Sequence, residues 1–183
     1  KKGSGSIFGY YVHTDVKNST EHILYLSQGG IGLPDRDYYF PEDERGKNIL
    51  AEYEKHIAAL FVLAGETEEV ANENARNIVV LETAFAENSM TNVERRDPNA
   101  TYNRMNVEEL QALVSNVNWE SFFKAAELKG ITDLVVGQPK YFEAINELLV
   151  NTPVDTWKAY IKLQAINDYA DKLSSDFDAQ KFS

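Results

Sequence analysis

The chain has 183 residues, with 18 Lys plus Arg against 29 Asp plus Glu, a net charge of −11, and no cysteine. An acidic chain without a basic cluster is repelled by nucleic acid and anionic lipid, and without cysteine there is no disulfide framework and no thiol chemistry. No apolar run reaches the length of a membrane span, and Lys1-Lys2-Gly3-Ser4-Gly5 lacks the apolar stretch of a signal peptide. A hydrophobic share of 43% supports a real core, in one domain or in a large piece of a bigger protein. The start on a strand pattern and the polar tail at Ser183 read as the ends of something cut from a longer chain.

In chain order, Ile7-Phe8-Gly9-Tyr10-Tyr11-Val12 and Ile23-Leu24-Tyr25-Leu26 are rich in aromatic and β-branched residues. The polar stretch from Asp15 to Thr20 between them predicts a β-hairpin with a loop longer than the minimum. Gly29-Gly30-Ile31-Gly32-Leu33-Pro34-Asp35-Arg36-Asp37-Tyr38-Tyr39-Phe40 follows as an ordered junction. Its glycines permit close backbone approach, Pro34 extends Leu33, and Asp35 and Asp37 can bond local amides. Arg36 between those aspartates, with Tyr38 beside it, suits a salt-linked turn; the alternative is the wall of a binding chamber.

From residue 43 the pattern is helical. Tyr53, Ile57, Leu60 and Phe61 mark a first helix over 43–64, stopped by Gly65. Thr67 caps a second, running to about Glu87. Residues 88–101 read as a loop with Asp97-Pro98-Asn99 as its turn. Asn106 with Glu109 has capping-box spacing, Asn118 caps a further helix, Leu134-Val135-Val136 is a brief extended piece, and Pro139 starts another helix. Thr152-Pro153-Val154-Asp155 opens the last helix, with Trp157, Ile161, Ala165, Tyr169 and Leu173 as its apolar stripe in i+4 steps. The expected fold is mainly α: about six helices with an N-terminal β-hairpin, divided as hairpin 1–30, junction 31–42 and helical region 43–183. A piece cut from a larger fold would also leave an apolar patch exposed.

Few residues here suggest chemistry. His13 and His22 flank the hairpin loop and could approach each other, but two ligands without a third hold a metal weakly. His56 lies four residues after Glu52, a spacing that could chelate but that reads here as a satisfied boundary histidine beside the apolar stripe. Gly3-Ser4-Gly5-Ser6 is no nucleophile elbow, and Gly3, Gly5 and Gly9 miss the dinucleotide fingerprint. Asn18-Ser19-Thr20 and Asn99-Ala100-Thr101 fit the glycosylation pattern, a common chance match. Glu82 stands out. It falls on the apolar arc of the second helix between Leu81 and Phe85, where a carboxylate needs a partner, and Arg95 or Arg96 is the nearest cation along the chain. No catalytic or metal-ligating residue is assigned.

The run "GLPDRDYYF", the turn Asp15-Val16-Lys17-Asn18-Ser19, and Arg96-Asp97-Pro98 followed by Tyr102-Asn103-Arg104-Met105 resemble motifs of the neprilysin-like zinc endopeptidase family. The likeness extends from about Ile7 to Phe182. It implies part of the N-terminal region of such an enzyme, chiefly the mainly helical domain that covers a peptide-cleaving chamber. The zinc signature H-E-x-x-H is absent, so the resemblance puts zinc, the catalytic domain and short-peptide hydrolysis in the longer parent protein, and no cofactor in this chain. Its partners would then be the rest of its own polypeptide and, in the whole protein, peptide substrates. It implies an extracytoplasmic location, periplasmic, secreted or surface-anchored, and the lack of cysteine suits a bacterial member. The alternative is a stand-alone helical binding module.

Overall fold

The computed structural model describes residues 2–4 and 7–169. Among these are five strands, six α-helices and two 310 turns, which form two compact units. The first unit comprises residues 1–30 and 88–151, and the second 31–87 and 152–183. The helices after residue 42 are thus shared between the units.

The first unit is built on a mixed sheet of strands β1 (Lys2–Ser4), β2 (Phe8–Asp15), β3 (Asn18–Gln28), β4 (Asn103–Asn106) and β5 (Asp133–Val136). Their spatial order is β1-β2-β3-β5-β4. β3 runs antiparallel to β2 and parallel to β5, with Leu24 opposite Leu134 and Leu26 opposite Val136. This arrangement explains the continuous apolar runs Ile23–Leu26 and Leu134–Val136. Both central strands are covered on both faces, where alternation gives way to unbroken hydrophobicity. Ile23, Tyr25 and Val135 form a cluster with Tyr102 packed against it. Phe8 lies 5.5 Å from Trp119, 5.2 Å from Phe122 and 5.6 Å from Phe142. Tilted ring pairs at such separations add about 0.5–1.5 kcal/mol each beyond area burial.

The hairpin is longer and its turn tighter than expected. β2 continues to Asp15 and β3 restarts at Asn18, so only Val16 and Lys17 lie outside the strands. Asp15 Oδ1 accepts from Lys17 N at 2.8 Å, and Asn18 Oδ1 from Thr20 N at 3.3 Å. Two consecutive side-chain turns replace the longer loop. β1 and β4 are additional to the expected hairpin. β4 is only four residues, three of them polar, and its pairing with β5 sets it as a strand.

Helices α3 (Val107–Leu113), α4 (Trp119–Ala125) and α5 (Pro139–Asn151) complete this unit. The Asn106–Glu109 capping box forms, with both bonds at 2.8 Å, and Asn118 Oδ1 accepts from Ser121 N. Gln138 Oε1 accepts from Gln28 N at 2.8 Å, while Gln28 Oε1 accepts from Met90 N at 2.9 Å. The returning chain is thereby fastened to the end of β3.

The second unit contains a 310 turn (Arg36–Tyr39) and helices α1 (Glu44–Leu63), α2 (Glu68–Asn88, its last residue in the first unit) and α6, described as Val154–Tyr169. Asp43 caps α1 through Gly46 N, and Gly65, with φ +91°, ends the helix in a conformation that favours glycine. α6 departs from the sequence reading. It buries Thr156, Ala159, Tyr160, Leu163 and Ile166, whereas Ile161, Ala165 and Tyr169 of the predicted stripe are exposed. Tyr160 lies 5.7 Å from Phe85 of α2, and Lys162 Nζ donates to Glu66 Oε1 at 2.7 Å. Both sides of α6 carry apolar residues, so the i+4 series alone does not identify the inward one. Leu173, the last member of that stripe, is outside the described residues, as are Gly5 and Ser6.

Candidate functional site

Two polar clusters take up the motif residues. The first, in the second unit, centres on Glu82, whose side chain is fully buried. α2 places this carboxylate opposite Tyr53 of α1 and Tyr39 of the 310 turn. The Tyr39 hydroxyl donates to Glu82 Oε2 at 2.6 Å and the Tyr53 hydroxyl donates to the same oxygen at 3.0 Å. Gly32 N donates to Oε2 at 3.2 Å. The Tyr39 oxygen in turn accepts from Gly32 N and Leu33 N, each at 3.1 Å. One hydroxyl therefore uses its single proton on the carboxylate and both lone pairs on the junction backbone. Gly32 is required by space: a Cβ there would lie 1.8 Å from Tyr53 Oη.

Burial pushes the Glu82 carboxyl up to about 7, with the Tyr39, Gly32 and Tyr53 hydrogen bonds pulling the other way. Burial, with the neighbouring carboxylate, also drives the Tyr39 and Tyr53 hydroxyls far above their ordinary value. The expected Arg95 or Arg96 partner is not the one used. Hydroxyl and amide donors satisfy Glu82, and among the described residues no guanidinium bonds it. Arg95 donates to Asn92 Oδ1, and Arg95 and Arg96 are both exposed. Sequence proximity pointed to the arginines, whereas the tyrosines come from 43 and 29 residues away.

The rest of the junction is held by a cap. Asp35 Oδ1 accepts from Asp37 N at 3.0 Å at the start of the 310 turn. Arg36 makes no ion pair among the described residues. Its guanidinium carbon lies 5.6 Å from the Phe40 ring centroid, and its Nε is buried without a hydrogen-bond partner. The salt-linked turn is thus an aspartate-capped one. Pro34, Asp37 and Tyr38 are exposed. Beside the turn an open groove of about 760 Å³ is lined by Arg36, Asp37, Tyr38, Phe40, Arg45 and Ile49, among others. It offers charge and aromatic surface for binding.

The second cluster, in the first unit, joins two motif segments far apart in sequence. Asp15 is buried; its Oδ2 accepts from the Tyr102 hydroxyl at 3.0 Å and from Arg104 Nη1 at 3.2 Å. Lys17 Nζ lies 4.3 Å from the Tyr102 ring centroid, and Arg104 Nη2 is 3.7 Å from Asp133 Oδ2. The Lys17 amide, helped by Tyr102 and Arg104, holds the Asp15 carboxyl below its usual range against the opposing effect of burial. The hairpin turn is thus bonded to β4 across 87 and 89 residues. Nothing in local spacing points to this pairing. The signal available was that both segments belong to recognisable motifs.

The residues described here do not fit zinc. His13 pairs with Ile23 and His22 with Thr14, consecutive rungs of one antiparallel ladder, so the two imidazoles project from opposite faces. Glu52 accepts from Lys55 Nζ at 2.8 Å, and burial lowers the pKa of the half-buried His56. Among the described residues no group of three His, Cys, Asp or Glu could hold a metal ion, and no helix is long and apolar enough to cross a membrane.

Comparison with known proteins identifies this arrangement. Residues 1–183 match the model of peptidase family M13. Human endothelin-converting enzyme 1 is 33% identical over 150 residues, covering 79% of this chain and 19% of that protein. Neprilysin-3 of Drosophila melanogaster is 28% identical over 187 residues, covering 96% and 24%. The zinc metalloprotease Zmp1 of Mycobacterium tuberculosis, in its open state, superimposes with a TM-score of 0.90 at 34% identity, over 97% of this chain and 27% of that one. PepO of Lactobacillus rhamnosis shares the fold, with a TM-score of 0.80 at 19% identity. The chain spans between about a fifth and just over a quarter of the length of these relatives. With the family match running through both clusters and along the whole sequence, the chain belongs to peptidase family M13, the neprilysin-like group its motifs resemble.

Proposed function

We propose that this chain is the non-catalytic covering region of a zinc-dependent endopeptidase that hydrolyses short peptides, and that it helps to form and gate the substrate chamber. The observation that carries the reading is the overlap with Zmp1 over 97% of this chain but only 27% of that metalloprotease. A second support is how the motif residues are used. Gly32, Tyr39, Asp15, Tyr102 and Arg104 of the motifs, together with Glu82, are spent on internal bonds, which is what a rigid wall requires. Zinc, a glutamate base and a zinc-bound water belong, in this reading, to the rest of the same polypeptide, which is this chain's partner together with the peptide substrate. The protein would work outside the cytoplasm.

The test is made on the longer polypeptide from the same reading frame. It should cut short synthetic peptides, spare folded proteins, and lose activity to a chelator with recovery on added zinc. Hydrolysis insensitive to chelation, or no hydrolysis of any peptide in a broad library, would overturn the proposal.

A further inference from the structure

The motif run that folds onto Glu82 has a second side. Gly32, Leu33 and Tyr39 turn inward and are bonded there, whereas Tyr38 is 37% exposed and Phe40 41%. These two rings, with Arg36, Arg45 and Ile49, line the open groove of about 760 Å³, which lies wholly within the second unit. A recess of that volume can hold a few residues of peptide. Arg36 is its unusual member. All four described lysines of this unit, Lys47, Lys55, Lys158 and Lys162, bond a carboxylate. Arg36 stands between two aspartates, yet among the described residues it has no ion pair, and its buried Nε has no hydrogen-bond partner. Asp35 is committed to the Asp37 amide, and the guanidinium lies against the Phe40 ring. A half-buried cation has already lost part of its hydration, so an acceptor brought to it recovers more than one brought to an exposed charge.

We infer that this groove binds a short peptide segment, with an acidic side chain of the peptide on Arg36 and an adjacent aromatic side chain against Tyr38 and Phe40. This rests on the proposed function, and it names a feature of the peptides that the protein handles. The guanidinium fork takes a carboxylate through two parallel N–H bonds. The two exposed rings add the offset and edge contacts that an aromatic side chain makes. The groove carries three carboxylates against two guanidinium groups, which turns away a polyanion such as a nucleic acid or a polyphosphate. Asp37 and Glu42 are exposed, so solvent and salt screen them, and a single carboxylate held on the half-buried Arg36 tolerates them.

The test titrates blocked hexapeptides, without terminal charges, into the 183-residue chain by calorimetry. The reference peptide has adjacent glutamate and phenylalanine in a glycine–serine background. It should bind saturably. Replacing its glutamate by glutamine, or its phenylalanine by alanine, should each weaken binding about ten-fold. Arg36→Gln should abolish the preference for glutamate over glutamine and keep the preference for phenylalanine. Tyr38→Ala, at an exposed ring whose removal leaves the core intact, should do the reverse. Damage to the fold would lower both preferences together, which the pair of variants distinguishes from loss of one contact. No saturable binding, tighter binding of a peptide with lysine in place of glutamate, or a glutamate preference that survives Arg36→Gln would each overturn the inference. Binding needs no hydrolysis. Cleavage by the longer polypeptide with no binding in this groove would therefore sink the inference and leave the proposed function standing, and binding without cleavage would do the opposite.

Discussion

Glu82 shows how one buried carboxylate can organise a junction. Two tyrosine hydroxyls and a main-chain amide converge on it, and none of these donors carries a formal charge. Tyr39→Phe removes a donor from the carboxylate and an acceptor from the Gly32 and Leu33 amides. It should cost about 2 kcal/mol in denaturant unfolding. Gly32→Ala should cost on the order of 3 kcal/mol through overpacking. Tyr53→Phe in the same chain should restore part of that, because the nearest atom, Tyr53 Oη, is gone while Cζ at 2.8 Å remains. The pH dependence has a defined sign. The folded-state value near 7 lies above the ordinary 4.5, so between those values the folded state binds the extra proton. Stability from this group is full below about pH 4.5 and is lost as pH rises to about 7, by on the order of 3 kcal/mol. Glu82→Gln should flatten that slope, and unfolding free energy measured at half-unit steps of pH checks it.

At the scale of elements, the hairpin turn and β4 stand or fall together through Asp15. Its lowered pKa means that the stability it supplies is present above the ordinary value of 3.8 and is lost as pH falls through the lower folded value. Asp15→Asn should therefore remove part of the acid limb of the stability profile and lower the melting temperature at neutral pH. Asn106→Ala, which breaks the capping box of α3, should cost about 1 kcal/mol. These elements also show what a sequence reveals. Asn106, Asn118, Asp43 and Gly65 act within a few residues, so their capping and stopping roles were legible before any coordinates. β4 and the partners of Asp15 and Glu82 were not, since each depends on residues dozens of positions away. α6 misled for another reason: Trp157 of the i+4 series packs on Phe85 while Ile161 and Ala165 of the same series are exposed, so regular spacing alone does not say which side turns inward. The candidate site was half legible. The need of Glu82 for partners followed from its apolar neighbours, but the choice of tyrosines over arginines was made by the fold.

For the whole molecule, the family assignment and the internal use of the motif residues lead to one picture. The chain belongs to peptidase family M13, and its motif residues are bonded within each of its two units. His13 and His22 lie on opposite faces of the sheet, and tyrosine and amide donors satisfy Glu82. The groove beside Arg36 offers charged and aromatic surface for binding. The most direct measurement is zinc content by mass spectrometry, with peptide hydrolysis in parallel, on the purified 183-residue chain. We predict far less than one zinc per chain and no hydrolysis; one tightly bound zinc per chain together with chelator-sensitive peptide cleavage would contradict a covering, non-catalytic role.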